Sequence, residues 1–146
     1  MTSRRAFMCA AAACVAVASG GAQAQPGRLR RIGYVGNASA NPGRPQLEAF
    51  RRGLRELGWI EGQTFAVEFR WADGNPERIP QLVAELLEAK VDVIVLSGPL
   101  AIAAAQKATS TIPVVFVVLS DPVAAGFVRS LARPGGNMTG VASEYE

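Results

Sequence analysis

The stretch VDVIVL at residues 91–96 decides the fold of this chain, because it is a nearly continuous run of β-branched residues. A second run of the same kind, VVFVVL at residues 114–119, follows a short helical pattern. Such runs are typical of strands that are buried on both faces of a parallel sheet. We therefore expect both to be central strands of a sheet that helices cover on either side.

Patterns on both sides of these runs extend the alternation of strands and helices. Three further strands are predicted at residues 32–35, 64–70 and 139–142, and the alternating polarity of the second indicates a sheet edge. Helical spacing predicts four helices. The first carries Leu47, Phe50, Leu54 and Leu57, the second starts near Pro80, and the last two span residues 100–108 and 123–131. The predicted class is α/β, with a doubly wound, mostly parallel sheet. Because the chain stops soon after the fifth strand, we expect it to be incomplete at its C-terminus.

The first 24 residues resemble an export signal. Arg4 and Arg5 precede an apolar run over residues 6–19, and Ala22 and Ala24 supply the small side chains that a signal peptidase needs. We expect residues 1–24 to direct export to the periplasm by the Sec or twin-arginine route, and residues 25–146 to form one domain. The apolar run is shorter than the roughly 20 residues of a membrane anchor.

Both cysteines, Cys9 and Cys14, lie in this predicted signal, so we expect a mature domain without thiols or disulfides. A lipoprotein signal at Cys14 is the alternative, but residues 11–13 are alanines and provide no large aliphatic side chain before the cysteine.

Charge and composition argue against several classes of function. The net charge of +3 falls to +1 once Arg4 and Arg5 are removed, and no aromatic residues are interleaved with the arginine clusters, so we expect no nucleic-acid partner. The sequence has no histidine, which removes Ser-His nucleophile pairs and the commonest metal ligand. It also lacks GxGxxG and P-loop motifs. We therefore expect no enzyme activity, no cofactor and no metal.

A ligand site is expected at the carboxyl ends of the strands. If the strand order is 2-1-3-4-5, the crevice lies between the first and third strands. The loops there carry small polar residues, and the helix N-termini after Ser97 and Ser120 suit a carboxylate, whereas Asp121 could hold an ammonium group. The alternative is that Ser97 and either Ser120 or Asp121 are helix caps and that Asn37 and Asn41 are turn residues.

Several phrases together resemble the N-terminal lobe of the periplasmic solute-binding proteins of ABC transporters, in the group that is similar to tryptophan- and tyrosine-type amino-acid binders. They are RIGYV (31–35), FRRGL (50–54), ELGW (56–59), VDVIV (91–95), PVVF (113–116), SDPV (120–123) and RPGGN (133–137). The resemblance implies a Rossmann-like lobe of the periplasmic-binding-protein type I, a second lobe after Glu146, and a cleft that closes on the ligand. It implies ligand contacts at Asn37, Ala38, Ser39, Ser97, Gly98, Ser120, Asp121 and Ser143.

The resemblance favours a monomeric, non-enzymatic component that captures a small solute, such as an amino acid or related carboxylate, for an ABC permease and ATPase. An exported single-domain hydrolase that uses Ser97 or Ser120 is a second hypothesis, and the lack of histidine counts against it. A ligand-sensing domain is a third, and the predicted export signal argues against a DNA-bound regulator.

Overall fold

A computed structural model describes residues 28–40, 44–118 and 121–143. The elements of this part of the chain, in order, are β1 (Arg30–Gly36), α1 (Pro45–Glu56), β2 (Phe65–Trp71), a 3-10 turn (Pro76–Arg78), α2 (Ile79–Glu88), β3 (Val93–Ser97), α3 (Pro99–Ala108), β4 (Val114–Val118) and β5 (Met138–Ala142). The predicted signal peptide lies outside the described residues. Within those residues, no helix has the length and apolar character needed to cross a bilayer.

The five strands form one sheet in the order β2-β1-β3-β4-β5, and every neighbouring pair is parallel. This confirms the predicted α/β class, the strand order and the edge position of β2. The order reverses direction between β1 and β3, where Tyr34 is paired with Val95 on one side and with Phe69 on the other. Open parallel sheets bind ligands at such a reversal.

One face of the sheet carries the main core. Ile94, Leu96 and Phe116 are almost fully buried there against Leu86 of α2 and Ile102 of α3. Removing these side chains from water supplies the main stabilisation, since each fully buried one contributes about 1.5–3 kcal/mol. The core thus fixes β1, β3 and β4, whose carboxyl ends line one edge.

The opposite face is covered unevenly. Over β1 and β2, Tyr34 and Phe69 lie beneath α1, and the rings of Tyr34 and Phe50 are 6.2 Å apart. Over β4 and β5, Val115, Val117 and Val141 are exposed to 37%, 48% and 64%. Val117 and Val141 are neighbours in the sheet register, and Val115 lies two residues before Val117 on the same face, so the three side chains form an apolar surface across these two strands.

Two helix boundaries follow from local chemistry. Pro80 lies in the first turn of α2, where its missing N–H costs nothing. Gly58 follows α1 with φ of 83°, a left-handed conformation that glycine adopts readily. Both agree with the sequence prediction.

The predicted helix at residues 123–131 is wrong. The segment forms turns instead, in which the N–H groups of Phe127 and Val128 donate to the carbonyl of Pro122. Gly126 has φ of 74°, which interrupts a right-handed helix. Phe127 then turns back to the core, with its ring 6.4 Å from that of Phe116. The apolar spacing that predicted a helix therefore reflects a short turn that packs on β4.

Candidate ligand-binding site

A cavity of about 450 Å³ opens at the carboxyl ends of the strands, on both sides of the reversal between β1 and β3. Loops and strand ends of the sheet form its floor, and the start of α1 forms one wall. The described residues that line it are Tyr34, Gly36, Asn37, Ala38, Arg44, Gln46, Leu47, Phe50, Trp71, Val95, Leu96, Ser97 and Val117. Its volume lies within the range of small-molecule sites in proteins.

Three of the eight residues expected at a ligand site line this cavity. Asn37 and Ala38 follow β1, and Ser97 is the last residue of β3. The N-cap of α3 is Gly98, and no side chain caps that helix. Among the described residues, none bonds the Ser97 hydroxyl, so the expectation that it caps α3 is not met. The hydroxyl remains available as a hydrogen-bond donor and acceptor in the cavity.

Ser39, Gly98, Asp121 and Ser143 are not among the described lining residues, and Ser120 lies outside the described part of the chain. The Asp121 carboxylate accepts from the backbone N–H groups of Val123 at 2.8 Å and Ala124 at 3.1 Å. Asp121 therefore caps the turn that follows β4, which is the alternative that the sequence left open for it. As ligand contacts, these five residues stay predictions.

An aromatic wall was not expected from the sequence. Tyr34, Phe50 and Trp71 line the cavity, with the rings of Tyr34 and Trp71 5.8 Å apart. Phe69 supports the wall from the side, because its ring stacks on that of Trp71 at 5.8 Å with only 6° between the planes. The sequence does contain a signal for this wall. The apolar residues at 65, 67 and 69 alternate with other residues, and the alternation continues to Trp71, one residue beyond the predicted end of the strand.

Arg44 was also missed. It immediately precedes α1 and lies in the wall of the cavity. Its Nε atom is buried and has no hydrogen-bond partner in the described part of the chain. Its positive charge acts on Tyr34: burial raises the pKa of the Tyr34 phenol, and the nearby guanidinium partly offsets that rise. Tyr34 is therefore a neutral hydroxyl near physiological pH, able to donate as well as accept a hydrogen bond.

The remaining charged clusters lie elsewhere. The backbone N–H of Arg31 donates to the Asp92 carboxylate at 2.8 Å, and this hydrogen bond holds the pKa of Asp92 below its ordinary value. Asp92 lies at the opposite end of β3 from the cavity. Arg70 pairs with Glu85 at 2.9 Å on the edge strand. Across residues 28–40, 44–118 and 121–143, no group of acidic, histidine or cysteine side chains could hold a metal ion.

The sequence profile of the family described as "ABC transporter substrate binding protein" matches residues 42–146. A tyrosine-binding protein of Clostridioides difficile (strain R20291) is 30% identical over 105 residues, which are 69% of this chain and 30% of that protein. This confirms the resemblance that the sequence phrases indicated.

Two solved structures share the fold. The ligand-free, open structure of a substrate binding protein with adhesive properties from Clostridium difficile is 27% identical with a TM-score of 0.70, over 81% of this chain and 40% of that one. An ABC domain from Streptococcus pneumonia in complex with L-Trp is 27% identical with a TM-score of 0.65, over 78% and 38%. The chain thus spans less than half the length of the relatives that it matches.

Proposed function

Because this chain belongs to the ABC transporter substrate-binding protein family, we propose that it is one lobe of a solute receptor that delivers a small molecule to a membrane permease and ATPase. The cavity at the strand reversal is the observation that carries this proposal. It joins the Ser97 hydroxyl, the Asn37 amide and an aromatic wall at the place where parallel sheets of this topology bind ligands.

The proposed solute is an amino acid or a related carboxylate. Support comes from the relative named as a tyrosine-binding protein and from the similar structure that holds L-Trp. The aromatic surfaces of Tyr34 and Trp71 provide the apolar contact that a ring-bearing solute needs. Polar groups of the loop after β1 and at the end of β3 supply its hydrogen bonds.

We further propose that a second lobe follows residue 146 in the full-length protein and supplies the other half of the contacts. The relatives support this, since this chain covers only 30% to 40% of their length. Closure of two lobes around the solute excludes water and gives the permease a shape that differs from the empty form. In this scheme the receptor is a monomer that works in the periplasm after loss of residues 1–24.

The proposed role is binding without chemical change. The members of the family are described as substrate-binding proteins. A hydrolase that used Ser97 would need a base beside the Ser97 hydroxyl. No acidic side chain appears among the described residues that line the cavity, and the sequence contains no histidine.

The test is calorimetric titration of the full-length exported protein with the twenty standard amino acids, followed by mass spectrometry of the recovered solute. We expect saturable binding of at least one compound, recovered unchanged. Ser97→Ala should weaken that binding about 10-fold, since a hydrogen bond in a desolvated site is lost. Ser110→Ala, at an exposed serine beyond α3, is the matched control and should bind normally. Conversion of the solute to a product would overturn the proposal in favour of an enzyme.

A further inference from the structure

Arg44 differs from the other partly buried arginines of the described residues. Arg31, Arg51 and Arg70 each pair with a glutamate, at 2.8–2.9 Å. Arg44 forms no ion pair with any described residue, and its buried Nε has no hydrogen-bond partner among those residues either. A partly desolvated guanidinium without a counter-charge is costly, so its site favours an anion supplied from outside.

The described lining of the cavity contains a single charged side chain to meet a ligand. Arg44 is the one ionised side chain among the described residues that line it, and neither aspartate nor glutamate is present there. Asp121, the acidic residue that the sequence placed nearest, is engaged with the backbone of its own turn. The described lining residues therefore include a cationic partner for a negative group and no carboxylate for an ammonium group.

Flat apolar surface adjoins the guanidinium. The Trp71 ring lies over the end of β1, where a Cβ atom at Gly36 would collide with it, so glycine is what allows the ring to occupy that place. Tyr34 and Phe50 continue the surface towards α1, which Arg44 precedes. A planar ligand group that packs on this wall has the Arg44 guanidinium at its edge. A guanidinium can hold a carboxylate with two parallel hydrogen bonds.

We propose that Arg44 is the specificity-determining residue of the cavity and selects small organic acids whose planar apolar part contacts Trp71 and Tyr34, with no requirement of this lobe for an α-ammonium group. This inference rests on the proposed function and deepens it, since it assigns the ligand's anionic group to one side chain.

The test compares three probes in calorimetric titrations of the full-length exported protein: L-tyrosine, its deaminated analogue 3-(4-hydroxyphenyl)propionate, and L-tyrosinamide. We expect the full-length protein to bind both carboxylates, and to bind tyrosinamide, which has a neutral amide in place of the carboxylate, about 10- to 100-fold more weakly. Arg44→Gln should weaken the two carboxylates by that factor and leave the amide unchanged. Arg44→Lys should recover part of the loss, because a lysine keeps the charge without the planar fork.

Arg52→Gln is the matched control, since Arg52 is exposed on α1 and does not line the cavity. Thermal unfolding followed by circular dichroism shows whether each variant is folded. Carboxylate binding that survives unchanged in a folded Arg44→Gln protein overturns the role of Arg44 but leaves the receptor function standing. Equal loss of amide and carboxylate would indicate a structural role and also overturns it. Failure of the wild-type protein to bind any of the probes or any amino acid overturns the proposed function itself.

Discussion

Replacing Gly36 by alanine tests whether the position of the Trp71 ring shapes the cavity. Gly36 ends β1 and is paired with Trp71 in the sheet. A Cβ atom there would collide with Cζ3 and Cε3 of the indole and lie 3.3 Å from Cη2. Carbon atoms pack at about 3.5–4.0 Å, so the ring must move by about 1 Å or more.

The expected loss of affinity follows from that displacement. If the indole makes ~20 atom contacts with a planar ligand at ~0.15 kcal/mol each, a gap of about 1 Å forfeits roughly a third of that ~3 kcal/mol, or about 1 kcal/mol. Since 1.4 kcal/mol is about tenfold, the Kd should rise roughly fivefold. Ligand titration measures this, and the emission of Trp71 in a Trp59→Phe background reports whether the ring has moved.

Gly53→Ala is the matched glycine control. Gly53 lies within α1, and nothing is within 4 Å of the place where its Cβ would stand. We expect this substitution to stabilise the fold by about 0.5–1 kcal/mol, because alanine favours the helix, with ligand affinity unchanged. Gly36→Ala should instead destabilise by about 1–3 kcal/mol in urea unfolding. A Gly36→Ala protein that keeps both the wild-type Kd and the wild-type Trp71 emission would show that the position of the ring does not shape the cavity.

Three other predictions concern charge, capping and the uncovered face. Asp121→Ala removes the cap of the turn after β4 and should cost about 1 kcal/mol in urea unfolding, while Asp121→Asn, which keeps an acceptor, should cost less. The hydrogen bond from Arg31 holds the pKa of Glu68 below its ordinary value of 4.5, so its stabilisation is present above that value and is lost as the pH falls through the folded pKa. Urea midpoints of the wild type should therefore fall more steeply with acid, below about pH 5, than those of Glu68→Gln; equal slopes would contradict this. Residues 25–146 produced alone should self-associate through the exposed valines of β4 and β5, and Val115→Lys should reduce the mass measured by light scattering; no change in mass would contradict that contact.

The sheet could be predicted from the sequence because its determinants are local. The runs around Ile94 and Phe116 contain few polar residues, which is typical of strands inside a parallel sheet. The expectation that helices cover both faces is met less well, since Val115 and Val117 leave one face of β4 partly exposed in the described residues. The end of α1 at Gly58 likewise depends on one backbone conformation that glycine favours. The false helix at residues 123–131 shows the limit, since apolar spacing does not reveal that Phe127 folds back onto Phe116 after a left-handed Gly126.

The candidate site was only partly predictable, because its walls come from separate elements. Asn37 and Ser97 follow strands and could be placed at one edge by topology alone. Trp71 reaches the cavity because it is paired with Gly36 in the register of β2 with β1. The predicted strand ended one residue earlier, so the sequence prediction did not include this pairing. Glu48 lies one helical turn from Arg44 and its N–H donates to the Arg44 carbonyl, but its carboxylate pairs with Arg51, so Arg44 has no ion pair with a described residue. This choice of partner cannot be seen in the linear sequence.

The most direct test of the account is the position of the bound solute in a crystal structure of the full-length protein. We predict a planar ligand against Trp71 and Tyr34, with its carboxylate on Arg44 and a hydrogen bond to Ser97. A second cavity of about 390 Å³ lies between the end of α3 and the loop before β5, lined in part by Gln106 and Arg129. A ligand bound there, with the cavity at the strand reversal empty, would contradict the account.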